Sequence, residues 1–235
     1  MILSVLGRSL RLSNCLSATQ SYLDKMTLPA IAPCSTRWQK TWQQLGINGS
    51  ETLYARLCAC YAEPHRHYHT LHHLQECFTH FEQIREYADH PAAVELAIWF
   101  HDAIYETTRK DNEAKSAEWA RASAIAHGLP EEIGAHVDSL IMVTKHDIEP
   151  TNRDAEVLVD VDLGILAATP ERFDRYERQV RAEYSWVPEP IYRQERGKIL
   201  QAFLGRSQIY STPPFHQHYE TKARQNLIRS LAKLT

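Results

Sequence analysis

The sequence predicts an all-helical protein, and three observations lead to that prediction. From Ser35 onward, apolar residues recur at three- and four-residue spacing, which is the period of a helix with one buried face. No stretch keeps the two-residue alternation of a half-buried strand. Only eight glycines occur in 235 residues, which is few for a β-rich or dinucleotide-binding protein. We therefore expect one helical domain over residues 35–235, in which residues 170–235 form a C-terminal helical cap.

The predicted helices follow in order along the chain. The first ends at Gly46, Ser50 can cap the second, and the second ends before Pro64. A third helix carries an apolar stripe over residues 74–84. Further helices are expected at residues 112–127, 131–146, 154–168, 170–184, 188–206 and 217–233.

The most apolar helix is expected to follow His90-Pro91 and to run from Ala92 to about Ile104. Its side chains are apolar nearly all round, so we predict that it is the central buried helix. The best strand candidate is residues 157–161, but one short run cannot form a sheet.

Composition narrows the class of protein. The net charge of −3 gives no electrostatic reason for bulk nucleic acid as a partner. No apolar run reaches the ~18 residues of a membrane span. The five cysteines are odd in number and form no C-x-x-C pair, which favours thiols in a reducing, cytoplasmic compartment. Oligomeric state cannot be inferred from these features.

Residues 1–34 are interpreted as an N-terminal extension. Residues 1–26 are rich in Ser, Leu and Arg, and Asp24 is their one acid. They could be a targeting peptide or an extension translated from an early start, with Met26 as another start.

Histidines are concentrated in one segment. The chain has thirteen, and five of them fall within residues 65–73. His69 and His73 are four residues apart, so on a helix they would share one face. That face continues to Cys77 and Phe81, which predicts that both imidazoles point inward, where they need a polar partner or a metal ion.

His101-Asp102 ends the most apolar predicted helix. A charged group at such a place is costly unless it is paired or bound to metal. The nitrogen and oxygen donors suit Mn, Fe, Zn or Mg. His146-Asp147 is a second copy of the dipeptide in a more polar setting.

Two further acids, Asp160 and Asp162, lie within the apolar run 157–163. One interpretation makes Asp160 a helix N-cap and places Asp162 in the first turn, where the helix dipole favours it. The other makes one of them a carboxylate ligand delivered from a buried helix.

Taken in order, His73, His101-Asp102 and a later Asp resemble the H…HD…D signature of the HD superfamily of metal-dependent phosphohydrolases. Its predicted HD phosphohydrolase subfamily is similar to this chain over roughly residues 37–232. The segments that carry the likeness are 66–74, 101–105, 111–113 with 116–117, 144–146, 160–163, 181–184 and 223–227.

The resemblance implies an HD-domain-like bundle and a divalent-metal-dependent phosphohydrolase that acts on a small phosphoester, a nucleotide or a related phosphate. It implies Mn, Mg, Fe, Ni or Zn, held by His73, His101, Asp102 and Asp162, with Asp160 as the alternative to Asp162. The spacing from Tyr68-His69 to His73 is similar to cyclic-nucleotide phosphodiesterases, in which the second His binds metal and the first is a general acid. Carried over, His69 is the acid, and the reverse assignment stays open, with His69 as an alternative ligand.

Other roles follow from the same resemblance. Asp102 or Asp162 could also orient the attacking hydroxide, and Glu113 could support a ligand or act as a base. The residues expected to hold substrate phosphate are Lys145, His146, Lys110 and Arg109. The His and Gly that follow the HD pair in two-metal phosphodiesterases are absent from residues 103–105, so the resemblance supports one ion and leaves a second ion open.

Three alternatives are weighed against this interpretation. Some HD-fold proteins are di-iron oxygenases, and His69, His146 and Glu113 could supply the extra ligands. A non-catalytic nucleotide-binding module would keep the fold without turnover. A purely structural helical protein would have to place these His and Asp residues in apolar helices without a metal.

Overall fold

The computed structural model describes residues 32–234, with side chains from Ser35 onward. Within this range no strand occurs, and the all-helical prediction is confirmed. The helices are α1 (Ala32–Gln44), α2 (Glu51–Tyr61), α3 (Leu71–Ile84), α4 (Pro91–Phe100), α5 (Asn112–Ala126), α6 (Glu131–Val143), α7 (Arg153–Asp162), α8 (Pro170–Glu183), α9 (Glu189–Gly205) and α10 (Pro213–Leu234). Short 3-10 helices follow α3 at Arg85–Tyr87 and α7 at Leu163–Ala167.

Several predicted helices end earlier than expected, and the two largest differences are at the ends of α4 and α7. The central helix stops at Phe100 rather than near Ile104, because the chain turns there and the Ala103 N–H bonds back to the Phe100 carbonyl. The region predicted as one helix over 154–168 divides into α7 and the tighter 3-10 helix that follows it. The strand candidate at residues 157–161 lies inside α7.

Asp160 and Asp162 lie in the last turn of α7, so the prediction that Asp160 caps the start of its own helix is wrong. Asn152 takes that role, because its side chain accepts a hydrogen bond from the Ala155 N–H at 2.9 Å.

The core is centred on α4, as its composition predicted. Eight of its ten residues are buried, and α3, α5, α6 and α7 pack around it. Trp99 contacts Trp38 edge to face and donates its indole N–H to the Thr41 hydroxyl at 3.2 Å. Each large apolar side chain buried in this way stabilises the fold by about 2 kcal/mol.

Helices α4 and α7 run side by side in the same direction. His90, at the start of α4, contacts Asp154 in the first turn of α7, and His101, just after α4, lies near Asp162 at the end of α7. With a rise of 1.5 Å per residue, the pair spans about 15 Å. The negative ends of both helix dipoles therefore meet at the His101 end, and the positive ends meet at the His90 end.

The compact unit that begins at Trp38 contains all the residues singled out as candidate site residues. None of its helices combines the length and the apolar character that crossing a bilayer would require, as far as the described residues go. The prediction of a targeting peptide at residues 1–26 falls outside the described part of the chain.

Candidate metal centre

Four predicted ligands converge where α3, α4 and α7 meet. The His73 Nε2 lies 3.1 Å from the His101 Nε2, 3.5 Å from the Asp102 Oδ2 and 3.3 Å from the Asp162 Oδ1. The His101 Nε2 lies 3.1 Å from the Asp102 Oδ2 and 3.5 Å from the Asp162 Oδ1. Both imidazole side chains are 2% exposed, so this contact is made in the interior.

These spacings match a coordination sphere. Nitrogen and oxygen donors sit about 2.0–2.2 Å from a transition-metal ion, so neighbouring donors of one ion lie about 3.0–3.5 Å apart. The five measured separations, 3.1–3.5 Å, fall in that interval. Cys77, which the sequence did not single out as a ligand, adds a thiol 3.6 Å from the His73 Nε2. The residues present therefore fit a divalent cation.

The backbone fixes the orientation of His101. Its Nδ1 lies 2.8 Å from the Ile98 carbonyl, and a carbonyl can only accept, so this nitrogen carries the proton. In the neutral ring the Nε2 is then the unprotonated nitrogen, and it is the atom that faces the other donors. A main-chain partner of this kind is the usual way in which a metal-binding imidazole is oriented.

Arg66 holds the turn that carries the HD pair. Its guanidinium donates to the Asp102 carbonyl at 2.6 Å and to the Ala103 carbonyl at 3.0 Å. It also donates to the His69 carbonyl at 3.3 Å. The Asp102 and Ala103 carbonyls belong to the turn just after α4, and a buried cation there interacts favourably with the negative end of the helix dipole. Arg66 thus ties the histidine-rich segment to the end of the central helix.

His146 orients Asp162 from the far side. Its Nε2 donates to the Asp162 Oδ2 at 2.9 Å, the oxygen that does not face His73 and His101. The backbone of His146 has a φ of 58°, a left-handed conformation that is uncommon outside glycine. Arg206 donates to its carbonyl at 2.7 Å and helps to hold that conformation.

The two carboxylates make the centre electrostatically suited to a cation. Burial lowers the pKa of His101, but Asp102 and Asp162 outweigh burial and raise the pKa well above its usual value. Burial likewise raises the pKa of Asp162, but His101, His146 and His73 hold it well below its ordinary range. The cluster thus favours positive charge at the point where its donors converge.

His69 lies beside the centre but not within the cluster. The expectation that it shares a helix face with His73 is wrong, because α3 begins at Leu71 after its Thr70 N-cap. The His69 Nδ1 lies 2.7 Å from the Glu183 Oε2, and its ring stacks on Tyr105 with 4.1 Å between centroids. The arrangement leaves the Nε2 as the ring nitrogen open to exchange a proton.

Glu183 is a candidate functional residue to which the sequence analysis assigned no role. Its Oε1 accepts the N–H groups of His67, Tyr68 and His69 at 2.7–3.0 Å. Its Oε2 accepts from His69 and, at 2.9 Å, from the Tyr105 hydroxyl. Burial raises the pKa of Glu183, but the bonds to His69 and the backbone lower it to about 2. One signal was present in the sequence, since Glu183 follows Phe173, Tyr176 and Val180 on the buried face of α8.

Asp160, the alternative ligand, faces away from the cluster. It accepts the N–H groups of Ser211 and Thr212 at 2.8 and 2.7 Å and the Thr212 hydroxyl at 2.6 Å. It therefore anchors the residues just before α10. Burial raises the pKa of Asp160 to about 6 despite these bonds, whereas the pKa of Asp162 is lowered.

The other predicted residues are not brought into the cluster. Glu113 is half-buried in the first turn of α5. Lys110 is exposed, and Arg109 pairs with its near neighbour Asp111 at 2.7 Å. Lys145 is exposed and lies 3.3 Å from the Asp147 carboxylate. Of the predicted phosphate-binding residues, only His146 reaches a member of the cluster.

The molecule is thus an all-helical protein with a buried group of His, Cys and Asp side chains positioned so that they could hold a metal ion. Comparison with known proteins adds no closer identification, because no protein-family model, no curated protein and no solved structure matches the chain.

Proposed function

We propose that the protein is a divalent-metal-dependent phosphohydrolase that acts on a small phosphoester, a nucleotide or a related phosphate. The observation that carries the proposal is the convergence of His73, His101, Asp102 and Asp162, whose donor atoms lie 3.1–3.5 Å apart. The order of these residues along the chain resembles the HD superfamily, and that resemblance supplies the reaction class.

The donor set suits this chemistry. A divalent cation held there would polarise a phosphoryl oxygen and lower the pKa of bound water. Two nitrogen and two oxygen donors fit Mn, Fe, Ni, Zn or Mg, in keeping with a mixed site. His146 occupies the second oxygen of Asp162, so Asp102 is our candidate to orient the attacking water.

His69 is the candidate proton donor to the leaving oxygen. Glu183 holds the His69 Nδ1 at 2.7 Å and Tyr105 stacks on the ring, so the Nε2 is presented in one orientation. A positioned acid of this kind contributes typically about 10²–10⁴ in rate. Glu113 is half-buried outside the cluster, so in this proposal it would support the metal ligands rather than bind the metal. Lys110 and Lys145 are exposed, so they would contact only a part of the substrate that extends outside the cluster.

The test is loss of the metal ion held at this cluster and of hydrolysis in His101→Ala and Asp102→Ala. His127→Ala is the matched control, because the His127 Nδ1 also bonds a main-chain carbonyl, that of Ser123 at 2.8 Å. Metal content is measured by mass spectrometry, and activity on nucleotides, pyrophosphate and nitrophenyl phosphates with each candidate cation. Circular dichroism checks that the helices remain.

Full activity in both variants would sink the assignment. Wild-type protein that binds metal and nucleotides but turns over none of the panel would favour the non-catalytic module instead. Two irons per chain with oxygen consumption would favour the oxygenase alternative.

A further inference from the structure

A second His and Asp cluster lies at the other end of the α4–α7 pair. His90 precedes Pro91 at the start of α4, His136 is in α6, and Asp154 is in the first turn of α7. The His90 Nδ1 and the His136 Nε2 approach the same oxygen, the Asp154 Oδ2, at 2.9 and 2.8 Å. The sequence prediction used His90 only as a helix opener.

We propose that His90, His136 and Asp154 form a second, solvent-accessible site for a divalent transition-metal ion of the zinc type. One donor atom from each residue lies within 4.8 Å of the other two. Adjacent donors of one tetrahedral zinc ion lie about 3.3 Å apart, so the observed 2.8 and 2.9 Å would each lengthen by about 0.5 Å when the ion binds.

The carboxylate is already oriented for this role. The Asp154 Oδ1 accepts the His90 backbone N–H at 2.9 Å, which turns the Oδ2 towards both imidazoles. Without a metal, each imidazole must present an N–H to that single oxygen. A bound metal ion would take the place of these two N–H groups and use the same three atoms, because Zn²⁺ binds neutral imidazole and ionised carboxylate. Each displaced proton would move to the other nitrogen of its ring or, from an imidazolium, to solvent.

Exposure shows how an ion would enter. The Asp154 side chain is 3% exposed, whereas those of His136 and His90 are 26% and 64% exposed. The rings meet at 71° with centroids 5.3 Å apart, so they are not stacked face to face. Solvent therefore reaches the imidazole side of the cluster, where water can complete the coordination.

The donor chemistry selects the ion. Two of the three ligands are imidazole nitrogens, which suit Zn²⁺, Co²⁺, Ni²⁺ or Cu²⁺ rather than Mg²⁺ or Ca²⁺. The positive ends of the α4 and α7 dipoles weaken binding by about a few-fold each, and the charge of Asp154 opposes that effect. We therefore expect an exchangeable ion that links the starts of α4 and α7 to the second turn of α6.

The experiment is a zinc titration of metal-free, full-length protein, with zinc content measured after desalting and affinity measured by calorimetry. Wild type should bind about two zinc ions per chain, one at each cluster. His90→Gln/His136→Gln should lose the weaker event, with an affinity loss of more than about 100-fold, since even outer-shell partners cost 10–100-fold. Glutamine keeps an N–H donor for Asp154, and His127→Gln is the control.

Zinc should also raise the Tm of His73→Gln/His101→Gln, which keeps only this site, because binding to the native state stabilises it. Two zinc ions in both His90→Gln/His136→Gln and wild type would overturn the proposal. The proposal would also be overturned if wild type showed a single zinc-binding event and only His73→Gln/His101→Gln lost it. If the double variant at His90 and His136 fails to fold, the single variant His90→Gln, at a 64% exposed side chain, decides by the same measurement.

Discussion

The two ends of the α4–α7 pair carry the same kinds of donor in opposite settings. At the C-terminal end, His101 is 2% exposed and Asp162 is 16% exposed. At the N-terminal end, only Asp154 is buried, and His90 is 64% exposed. The C-terminal end also gathers the negative ends of two helix dipoles, which attract a cation, whereas the positive ends repel it. The same residue types therefore form a buried cluster at one end and a solvent-accessible cluster, with lower expected affinity for a cation, at the other.

The largest effect on metal binding should come from replacing the aspartate at each end of the α4–α7 pair with asparagine. Asp162→Asn should weaken divalent-ion binding at the buried centre by more than about 100-fold and abolish hydrolysis, because it removes a direct ligand. Asp154→Asn should leave that centre unchanged. A Co²⁺ titration followed by visible absorption measures both variants. Equal tight binding in Asp162→Asn and wild type would remove the asymmetry between the two ends.

A smaller effect is expected from Glu183→Gln, which tests how far the C-terminal end is built into the core. The buried carboxylate accepts bonds from three backbone N–H groups, His69 and Tyr105. In the glutamine variant the amide N–H₂ replaces one carboxylate oxygen and faces these donors, with which it cannot form hydrogen bonds. The free energy of unfolding should therefore fall by about 3 kcal/mol. Urea denaturation measures it. A loss below about 1 kcal/mol would show that the carboxylate is not a structural anchor.

The same residue should make stability depend on pH. The pKa of Glu183 is about 2 in the folded state, below the usual value of about 4.3 for an unfolded chain. Its contribution is therefore present above the unfolded pKa and is lost as pH falls towards 2. Between pH 4.5 and 2, wild type should lose more stability than Glu183→Gln by roughly 2 kcal/mol. Parallel curves for the two proteins in denaturant titrations would contradict this.

The smallest effect belongs to the N-terminal end. In metal-free protein, His90→Gln should change the free energy of unfolding by less than about 1 kcal/mol, because exposed ion pairs contribute little. Thermal melts without zinc measure the difference, with His127→Gln as the reference. If His90→Gln lowered the free energy of unfolding by more than about 2 kcal/mol, the N-terminal cluster would stabilise the fold as much as the C-terminal one.

Much of the fold could be predicted from the sequence, because helical periodicity is a local property. The all-helical class and the buried α4 followed from apolar residues at helical spacing. The convergence of His73, His101-Asp102 and Asp162 was expected from their order and resemblance, and the structure brings their side chains together. The helix ends were less accurate, because tight turns such as the one after Phe100 depend on contacts outside the helix.

The resemblance favoured Asp162 over Asp160 as a ligand, but only the tertiary structure showed which of the two lies beside the histidines. Both lie in the last turn of α7, but α10 begins beside one and the histidines lie beside the other. Periodicity shows that a residue is buried, not which distant segment it meets. The same reason hid Glu183, whose partner His69 is 114 residues away, and Asp154, whose partner His90 is 64 residues away.

The sequence by itself thus determined the helices, their buried faces and the donor types placed on them. The tertiary structure decided which donors share a site and which serve as anchors. It did so because α4 and α7 pack in parallel, which brings their starts together at His90 and their ends together at His101. That packing, rather than any single motif, sets the opposite electrostatic characters of the two clusters.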